Sequence, residues 1–113
     1  MDATTIDLAR SRCKPCEGGV DPLKPEETAR LAKQLQGWEL AGDAIRKSYA
    51  FKTHYQAVAF VNAIAWISHR EDHHPDIELG YNAVRVRYTT RAIGGLSVND
   101  FICAAKVDGL FDL

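Results

Sequence analysis

The sequence lacks the long hydrophobic run that a membrane-spanning helix needs. Although 46% of its 113 residues are hydrophobic, no apolar stretch approaches the roughly 20 residues that cross a bilayer. The N-terminal sequence carries Asp2 and Asp7 before Arg10, so the apolar stretch typical of a signal peptide is also missing. We therefore expect a cytoplasmic protein with no membrane partner.

An excess of charge of one sign is also absent. Lysine and arginine total 14, aspartate and glutamate total 15, and the net charge is −1. Because the charges are mixed along the chain rather than grouped in blocks, the basic surface typical of nucleic-acid-binding proteins is not predicted. A neutral small molecule or a protein fits better as the ligand, and nucleic acid is excluded as a partner.

Cysteine is scarce. The sequence has three cysteines, Cys13, Cys16 and Cys103. An odd number of cysteines cannot all pair in disulfides within the chain, and this agrees with a reducing compartment. Cys13 and Cys16 have the C-x-x-C spacing, but a structural zinc site needs a second pair of ligands and a redox motif lies between a strand and a helix. A solvated turn is the main interpretation of this pair, and a metal or redox function is the alternative.

Proline is rare, and three of the four prolines lie between residues 15 and 25. Together with Gly18 and Gly19 they predict an irregular N-terminal arm over residues 1–24. The remaining residues, 25–113, are expected to form a single domain, because a chain of this length has room for one hydrophobic core.

Hydrophobic periodicity predicts the elements of that domain. Helical spacing indicates helices from Pro25 to about Gln36, from an N-cap at Thr53 to about Asp72, and after the capping-box-like sequence Ser97-x-x-Asp100. Alternating apolar residues predict two hairpins, Trp38–Leu40 with Ile45–Phe51 and Ile77–Tyr81 with Val84–Tyr88.

Two hairpins interleaved with helices indicate an α+β fold. We expect a four-stranded antiparallel sheet with about three helices packed on one face, and with Arg85 and Arg87 on the less covered face. An open sheet edge with apolar strands favours pairing with a second copy. A homodimer or homotetramer is therefore predicted.

Two adjacent histidines stand where the longest predicted helix must end. Pro75 has no amide hydrogen and restricts the residue before it to extended conformations, so the helix must end near His73. Histidine exchanges protons near neutral pH, and a helix C-terminus favours its cationic form. His73 and His74 are therefore candidates for acid or base catalysis, with an ordinary exposed pair as the alternative.

Four features of the sequence occur together: His73-His74-Pro75, Tyr81 six residues beyond the proline, Gly94-Gly95-Leu96-Ser97, and the run from Asn99 to Lys106. In this combination they resemble the pterin-4a-carbinolamine dehydratase family, also called 4a-hydroxytetrahydrobiopterin dehydratase. The stretch from Cys13 to Val20 is also similar to the arm of many bacterial members. The resemblance covers nearly the whole chain, so a dehydratase-like domain is expected over residues 25–113.

The resemblance implies dehydration of a 4a-hydroxytetrahydropterin to a quinonoid dihydropterin in tetrahydrobiopterin recycling, with no cofactor and no metal. An aromatic amino acid hydroxylase releases that substrate and is thus an expected partner. The resemblance implies that His73 acts as an acid or base and that His74 binds the pterin. It also implies that Pro75, Thr90 and Ala92 line the pterin ring.

The sequence departs from the family pattern at Arg91. The pattern has a third histidine, or a tryptophan, at this position. Nine residues lie between Tyr81 and Arg91. Arginine stays protonated in the physiological range, so Arg91 cannot act as a base, but it can donate hydrogen bonds to a carbonyl or hydroxyl. We expect His73 to carry catalysis, together with either Arg91 as an electrophilic partner or a water molecule. The activity is expected to be reduced.

Two further residues correspond to positions near the family's site. His69 lies one helical turn before His73, so it either faces and tunes that histidine or is a solvated helix residue. Trp38 corresponds to a tryptophan near the pterin, and burial in the core is the alternative.

Two other classes of function stay open. A pterin-binding, dimerisation or regulatory module with weak or no dehydratase activity would tolerate the loss of the third histidine. A metal-binding protein is the other class, because His69 and His73 have the i, i+4 spacing that lets two histidines share a metal and His74 adjoins them. The sequence places no convincing carboxylate or cysteine ligand beside these histidines.

Overall fold

The computed structural model describes residues 7–15 and 20–111. Cys16, Gly18 and Gly19 lie outside the described residues, so the solvated turn at the C-x-x-C spacing stays a prediction. In chain order the elements are α1 (Pro25–Ala32), β1 (Glu39–Ala41), β2 (Ala44–Ala50), α2 (His54–Glu71), β3 (Asp76–Leu79), β4 (Ala83–Tyr88) and α3 (Val98–Asp108), with short 3-10 helices at Arg91–Ile93 and Gly109–Phe111.

The four strands form one antiparallel sheet in the order β1-β2-β4-β3. In β4 the residues Val84, Val86 and Tyr88 are fully buried, while Arg85 is exposed and Arg87 is half-buried. This alternation is what a sheet with one face on the core requires. The predicted α+β fold, with a four-stranded antiparallel sheet and three helices, is confirmed.

Helix α2 is the longest element and begins as predicted. The Thr53 hydroxyl accepts a hydrogen bond from the Gln56 amide at 3.2 Å, and the Gln56 side chain accepts one from the Thr53 amide. This capping box satisfies amides that the first turn leaves without partners. The buried side of the helix, which packs towards the sheet and α3, consists of Ala57, Phe60, Ile64, Ile67, Ser68 and Glu71.

Helix α1 is shorter than the sequence predicts, since it ends at Ala32 rather than near Gln36. The amides of Gln34 and Leu35 bond to carbonyls three residues back, at 3.0 and 3.1 Å. These tighter turns end the α-helical pattern before the left-handed backbone of Gly37, which has φ 79°. Periodicity alone did not separate the helix from its terminal turns.

The core lies between the sheet and the helices. Its largest fully buried apolar side chains are Tyr88, Phe101, Ile45, Ile64, Val84, Val86 and Val107. Leu8 of the N-terminal arm is also buried and belongs to the same cluster. None of the helices in the described part of the chain combines the length and the apolar character needed to cross a membrane.

Candidate active site

A cavity of about 620 Å³ opens where α2 ends, β3 begins and β4 leads into the first 3-10 helix. It brings together most of the residues that the sequence marks as site residues. The cavity is lined by the predicted catalytic residues His73, His74 and Arg91 and by the predicted ring-binding residues Pro75, Thr90 and Ala92. Its volume is in the range of small-molecule sites.

The end of α2 directs the first histidine inward. Asp72 caps the helix in the left-handed region, with φ 51° and ψ 45°, and is the only non-glycine residue with positive φ among the described residues. Such a conformation costs about 1 kcal/mol for a residue other than glycine. After this cap, the His73 side chain is mostly buried and the His74 side chain is exposed.

His73 lines the cavity, and its imidazole contacts Asp100, which is fully buried and does not itself line the cavity. His73 Nε2 lies 2.6 Å from Asp100 Oδ1, and the His73 side chain is 12% exposed while that of Asp100 is fully buried. With Asp100 ionised, Nε2–H donates to the carboxylate, and Nδ1 is the ring nitrogen left for proton exchange. A buried carboxylate in this position orients an imidazole and stabilises the imidazolium when it forms.

Asp100 is itself fixed by two other donors. Its Oδ2 accepts a hydrogen bond from the Thr90 hydroxyl at 2.7 Å and from the Ser97 amide at 3.0 Å. The Ser97 contact confirms the predicted capping box of α3. Charge-assisted hydrogen bonds of this kind offset the cost of burying a carboxylate. The same carboxylate therefore caps α3 and orients His73.

The other two predicted catalytic residues lie at the rim of the cavity. The His74 side chain is 69% exposed, with Nε2 3.9 Å from Asp72 Oδ1. Arg91 is 78% exposed and donates from Nη2 to Asp76 Oδ1 at 2.8 Å. The second oxygen of Asp76 lies 3.4 Å from Arg87. Arg91 is therefore held by Asp76, which partly compensates its charge.

The N-terminal arm supplies a wall that the sequence does not predict. Cys13, Lys14 and Pro15 line the cavity. The Cys13 amide donates to Glu71 Oε1 at 2.8 Å, and the Lys14 amide donates to Asn99 Oδ1 at 3.1 Å. These contacts attach the arm to the end of α2 and the start of α3.

Glu71 anchors this arm from a buried position. Its side chain is 3% exposed, and Arg12 Nε lies 3.2 Å from Oε2. Burial alone raises the pKa of Glu71, but the hydrogen bond from the Cys13 amide and the positive charges of Lys106 and Arg12 outweigh it and hold this pKa below its ordinary range. The carboxylate is thus the form that the fold stabilises.

The two remaining predicted site residues do not line the cavity. Trp38 is buried, and its Nε1 donates to Asp108 Oδ2 at 2.9 Å. His69 lies on the outer side of α2 with its ring 5.6 Å from that of Trp66. Trp38 has the surroundings of a core residue and His69 those of a surface helix residue, which were the alternatives left open for each.

Asp100 is the main functional candidate that sequence reasoning missed. The capping-box spacing accounts for one of its oxygens, whereas the contact of the other with His73 joins residues 27 positions apart. The shorter aspartate in place of the usual glutamate of a capping box was the available signal. In the described ranges, 7–15 and 20–111, no group of three or more histidine, cysteine, aspartate or glutamate residues is arranged to hold a metal ion.

Comparison with known proteins adds independent information. The model of the family described as pterin 4 alpha carbinolamine dehydratase matches residues 21–110. A protein of Nitrosospira multiformis, provisionally named a pterin-4-alpha-carbinolamine dehydratase, is 63% identical over 113 residues and is covered completely, as is this chain. A protein of Nitrosomonas eutropha with the same provisional name is 66% identical over 105 residues, 92% of this chain and 93% of that protein.

Two solved structures share the fold. One is the crystal structure of a transcriptional coactivator/pterin dehydratase from Brucella melitensis, with a TM-score of 0.76 and 28% identity over 80% of this chain and 98% of that chain. The other is a pterin dehydratase-like protein described as a RuBisCO assembly factor in the alpha-carboxysome, with a TM-score of 0.54 and 27% identity over 65% of this chain and 84% of that chain.

Proposed function

This chain belongs to the pterin 4 alpha carbinolamine dehydratase family, and we propose that it converts a 4a-hydroxytetrahydropterin to a quinonoid dihydropterin in tetrahydrobiopterin recycling in the cytoplasm. The observation that carries the proposal is that His73, which lines the cavity, is hydrogen-bonded to the buried carboxylate of Asp100. A histidine oriented in this way is suited to exchange protons with a bound heterocycle.

The reaction needs two proton transfers at neighbouring atoms. The pterin hydroxyl leaves a carbon bonded to a ring nitrogen, and protonation of the leaving oxygen lets it depart as water while the nitrogen loses its proton. Because His73 Nε2 is held by Asp100, we assign Nδ1 to these transfers. One imidazole can serve both atoms in turn, because the oxygen and the nitrogen are bonded to the same carbon.

The other cavity residues are assigned to binding and polarisation. His74, Pro75, Thr90 and Ala92 line the cavity beside His73 and are proposed to hold the pterin ring. Arg91 donates hydrogen bonds but accepts none, so its proposed role is to polarise an oxygen of the substrate. Since a histidine could also take a proton there, we expect a rate below that of a site with three histidines.

A dehydration assay on an authentic 4a-hydroxytetrahydropterin tests this function. The wild-type chain should accelerate dehydration, and His73→Ala should lower kcat/KM by about 10²-fold or more. His54→Ala is a matched control, because His54 bonds to the Tyr81 carbonyl and does not line the cavity; its rate should stay within about twofold of wild type. A wild-type chain that leaves the uncatalysed rate unchanged would exclude the enzyme.

A second candidate function is a pterin-binding, dimerisation or regulatory module. Two points favour it as the alternative: Arg91 stands where the resemblance implies a histidine or a tryptophan, and a solved relative is described as an assembly factor for another protein. Calorimetry with a tetrahydropterin, which has no 4a-hydroxyl to lose, measures binding alone, and the dehydration assay measures turnover. A module would bind the tetrahydropterin and leave the dehydration rate of the 4a-hydroxytetrahydropterin unchanged, whereas the dehydratase would bind the first and accelerate dehydration of the second.

Self-association is the proposed partner interaction of either candidate. Strand β3 pairs only with β4 within the described sheet, and it exposes Leu79. Helix α2 exposes Tyr55 and Trp66, at 85% and 61%. Such surfaces are costly to leave in water, so we expect a homodimer or homotetramer by light scattering. An aromatic amino acid hydroxylase is the proposed source of the substrate.

A further inference from the structure

The thiols of Cys13 and Cys103 meet beside the cavity although 90 positions separate them in the sequence. Their sulfur atoms lie 3.5 Å apart, and both cysteines are free. Cys13 is half-buried and lines the cavity, whereas Cys103 is fully buried in α3. The match to the family model starts at residue 21, so Cys13 lies outside the matched region.

The backbone on both sides of the Cys13 sulfur is fixed. The Cys13 amide donates to Glu71, and the Lys14 peptide pairs twice with the Asn99 side chain, which accepts from the Lys14 amide at 3.1 Å and donates to the Lys14 carbonyl at 2.6 Å. The Cys13 thiol also lies 3.7 Å from the Asn99 carbonyl. The contact between the two sulfurs is therefore part of an ordered attachment.

We propose that Cys13 and Cys103 are a modification site: a peroxide converts them to an intramolecular disulfide that fastens the arm to α3 and fixes the arm's wall of the cavity. A disulfide bond is about 2.0 Å long, so the sulfur atoms must approach by about 1.5 Å from their 3.5 Å contact.

The chemistry balances with hydrogen peroxide as the oxidant. The Cys13 sulfur attacks one peroxide oxygen, the O–O bond breaks, and the thiol proton leaves with the other oxygen as water, so that Cys13 becomes a sulfenic acid. The Cys103 sulfur then attacks the Cys13 sulfur, the S–O bond breaks, and the Cys103 proton leaves with the hydroxyl as a second water. Two thiols lose two electrons, and one peroxide becomes two waters.

The order of these steps follows from the surroundings of each thiol. The hydrogen bond with Cys13 and burial raise the pKa of Cys103, so Cys103 stays a protonated, shielded thiol in the reduced protein. Cys13 lines an open cavity that a small oxidant can enter. Cys13 is therefore the residue oxidised first, and Cys103 is the resolving residue.

The connectivity test uses the full chain with Cys16→Ser, which leaves Cys13 and Cys103 as its only thiols. After peroxide treatment and alkylation, tryptic peptides 13–30 and 92–106 should be recovered as one cross-linked species, and dithiothreitol should release them. The monomer should lose the mass of two hydrogen atoms. In the double variant Cys13→Ser/Cys16→Ser, the 92–106 peptide should be alkylated instead.

The same peroxide treatment of the wild-type chain tests whether Cys13 pairs with Cys16 instead. If oxidation joins Cys13 to Cys16, peptide 13–30 carries an internal disulfide and Cys103 remains open to alkylation, which overturns the proposal. Recovery of Cys13 as a sulfinic or sulfonic acid without a cross-link, or of cross-links only between chains, also overturns it. The cross-link of 13–30 with 92–106, together with the cross-link in Cys16→Ser, supports it.

Hydrogen exchange tests whether the link fixes the arm. Oxidation of Cys16→Ser should slow exchange of the Cys13 and Lys14 amides by about tenfold or more, because opening of the arm then has to strain the new bond. The double variant Cys13→Ser/Cys16→Ser, treated in the same way, should show no change. Equal exchange in the oxidised and reduced Cys16→Ser chain would refute the fastening. Neither measurement uses pterin turnover, so both remain informative if the proposed dehydratase activity fails.

Discussion

The imidazole of His73 lies nearly parallel to the ring of Tyr88, with an interplanar angle of 7° and ring centroids 5.9 Å apart. At its edge the same imidazole contacts Asp100 at 2.6 Å. The ring contact limits tilting, and the hydrogen bond limits rotation within the plane. The side chain proposed to move protons is therefore oriented before a substrate binds, which lowers the cost of reaching a reactive geometry.

Asp100→Asn should lower kcat by about 10²-fold or more while KM changes little. An asparagine that keeps its oxygen towards Thr90 and Ser97 turns its NH₂ group to His73, where it favours the other imidazole tautomer and does not stabilise the imidazolium. Steady-state kinetics from pH 5.5 to 8.5 measure the effect.

Asp108→Asn is the matched control for that variant. Asp108 also lies on α3 and accepts hydrogen bonds from Trp38, Lys47 and Tyr49, but it does not line the cavity. It should lose stability with kcat nearly unchanged. Equal losses of kcat in the two variants would show that Asp100 acts only through folding.

Tyr88→Phe should stabilise the protein by about 1 kcal/mol, because a buried hydroxyl without a partner costs free energy. The Tyr88 hydroxyl is fully buried and has no hydrogen-bond partner in the described part of the chain. Phenylalanine keeps the ring against His73. The comparison is Tyr49→Phe, which removes a hydroxyl that donates to Asp108 at 2.6 Å and should destabilise by about 1 kcal/mol. Urea unfolding measures both, and a destabilised Tyr88→Phe would contradict the argument.

The sequence predicted those parts of the site that are continuous in the chain. Because Pro75 cannot continue a helix, the sequence placed His73 and His74 at the end of α2. Thr90 and Ala92 follow the predicted end of β4. Asp100 could not be assigned to His73 in the same way, because their contact depends on how α3 packs against the end of α2.

The arm shows a second limit of sequence reasoning. Glycine and proline predict irregular backbone, but they do not predict what that backbone packs against. The attachment depends on side chains that the sequence analysis gave no role, mainly Glu71 and Asn99. A lone helical glutamate or asparagine has the sequence signature of a solvated residue, and only the fold shows that both are buried.

Acid should weaken the attachment of the arm. The pKa of Glu71 is lowered in the folded protein, so the folded state binds the proton more weakly than the unfolded state. Its contribution to stability is therefore complete above the unfolded pKa of about 4.3 and is lost as pH falls below that value towards the lower folded pKa.

Glu71→Gln tests this account. At pH 7 the variant should be less stable by about 1–2 kcal/mol, because a charged acceptor of the Cys13 amide becomes neutral. The difference from wild type should shrink as pH falls below about 4. Urea unfolding at several pH values and exchange of the Cys13 amide are the measurements. A difference that stays constant from pH 7 to pH 3 would show that ionisation of Glu71 is not what holds the arm.

Arg91→His should raise the dehydration rate by about tenfold, since a positioned acid or base contributes 10²-fold or more when its geometry is good. The Arg91 guanidinium reaches Asp76 at the rim, and a shorter imidazole at this position can take a proton from the substrate, which arginine cannot. The rate of the variant should also gain a pH-dependent limb near pH 6.5, the range in which an exposed histidine titrates.

Arg91→Gln separates proton transfer from polarisation at the same position. Glutamine still donates a hydrogen bond, but it has no charge and no titrating group, so its rate should fall below wild type without a new pH-dependent limb. If Arg91→His is no faster than wild type while Arg91→Gln is slower, the positive charge is what the reaction uses at this place. The arginine would then be an adaptation of this site, with His73 and Asp100 supplying the proton transfers.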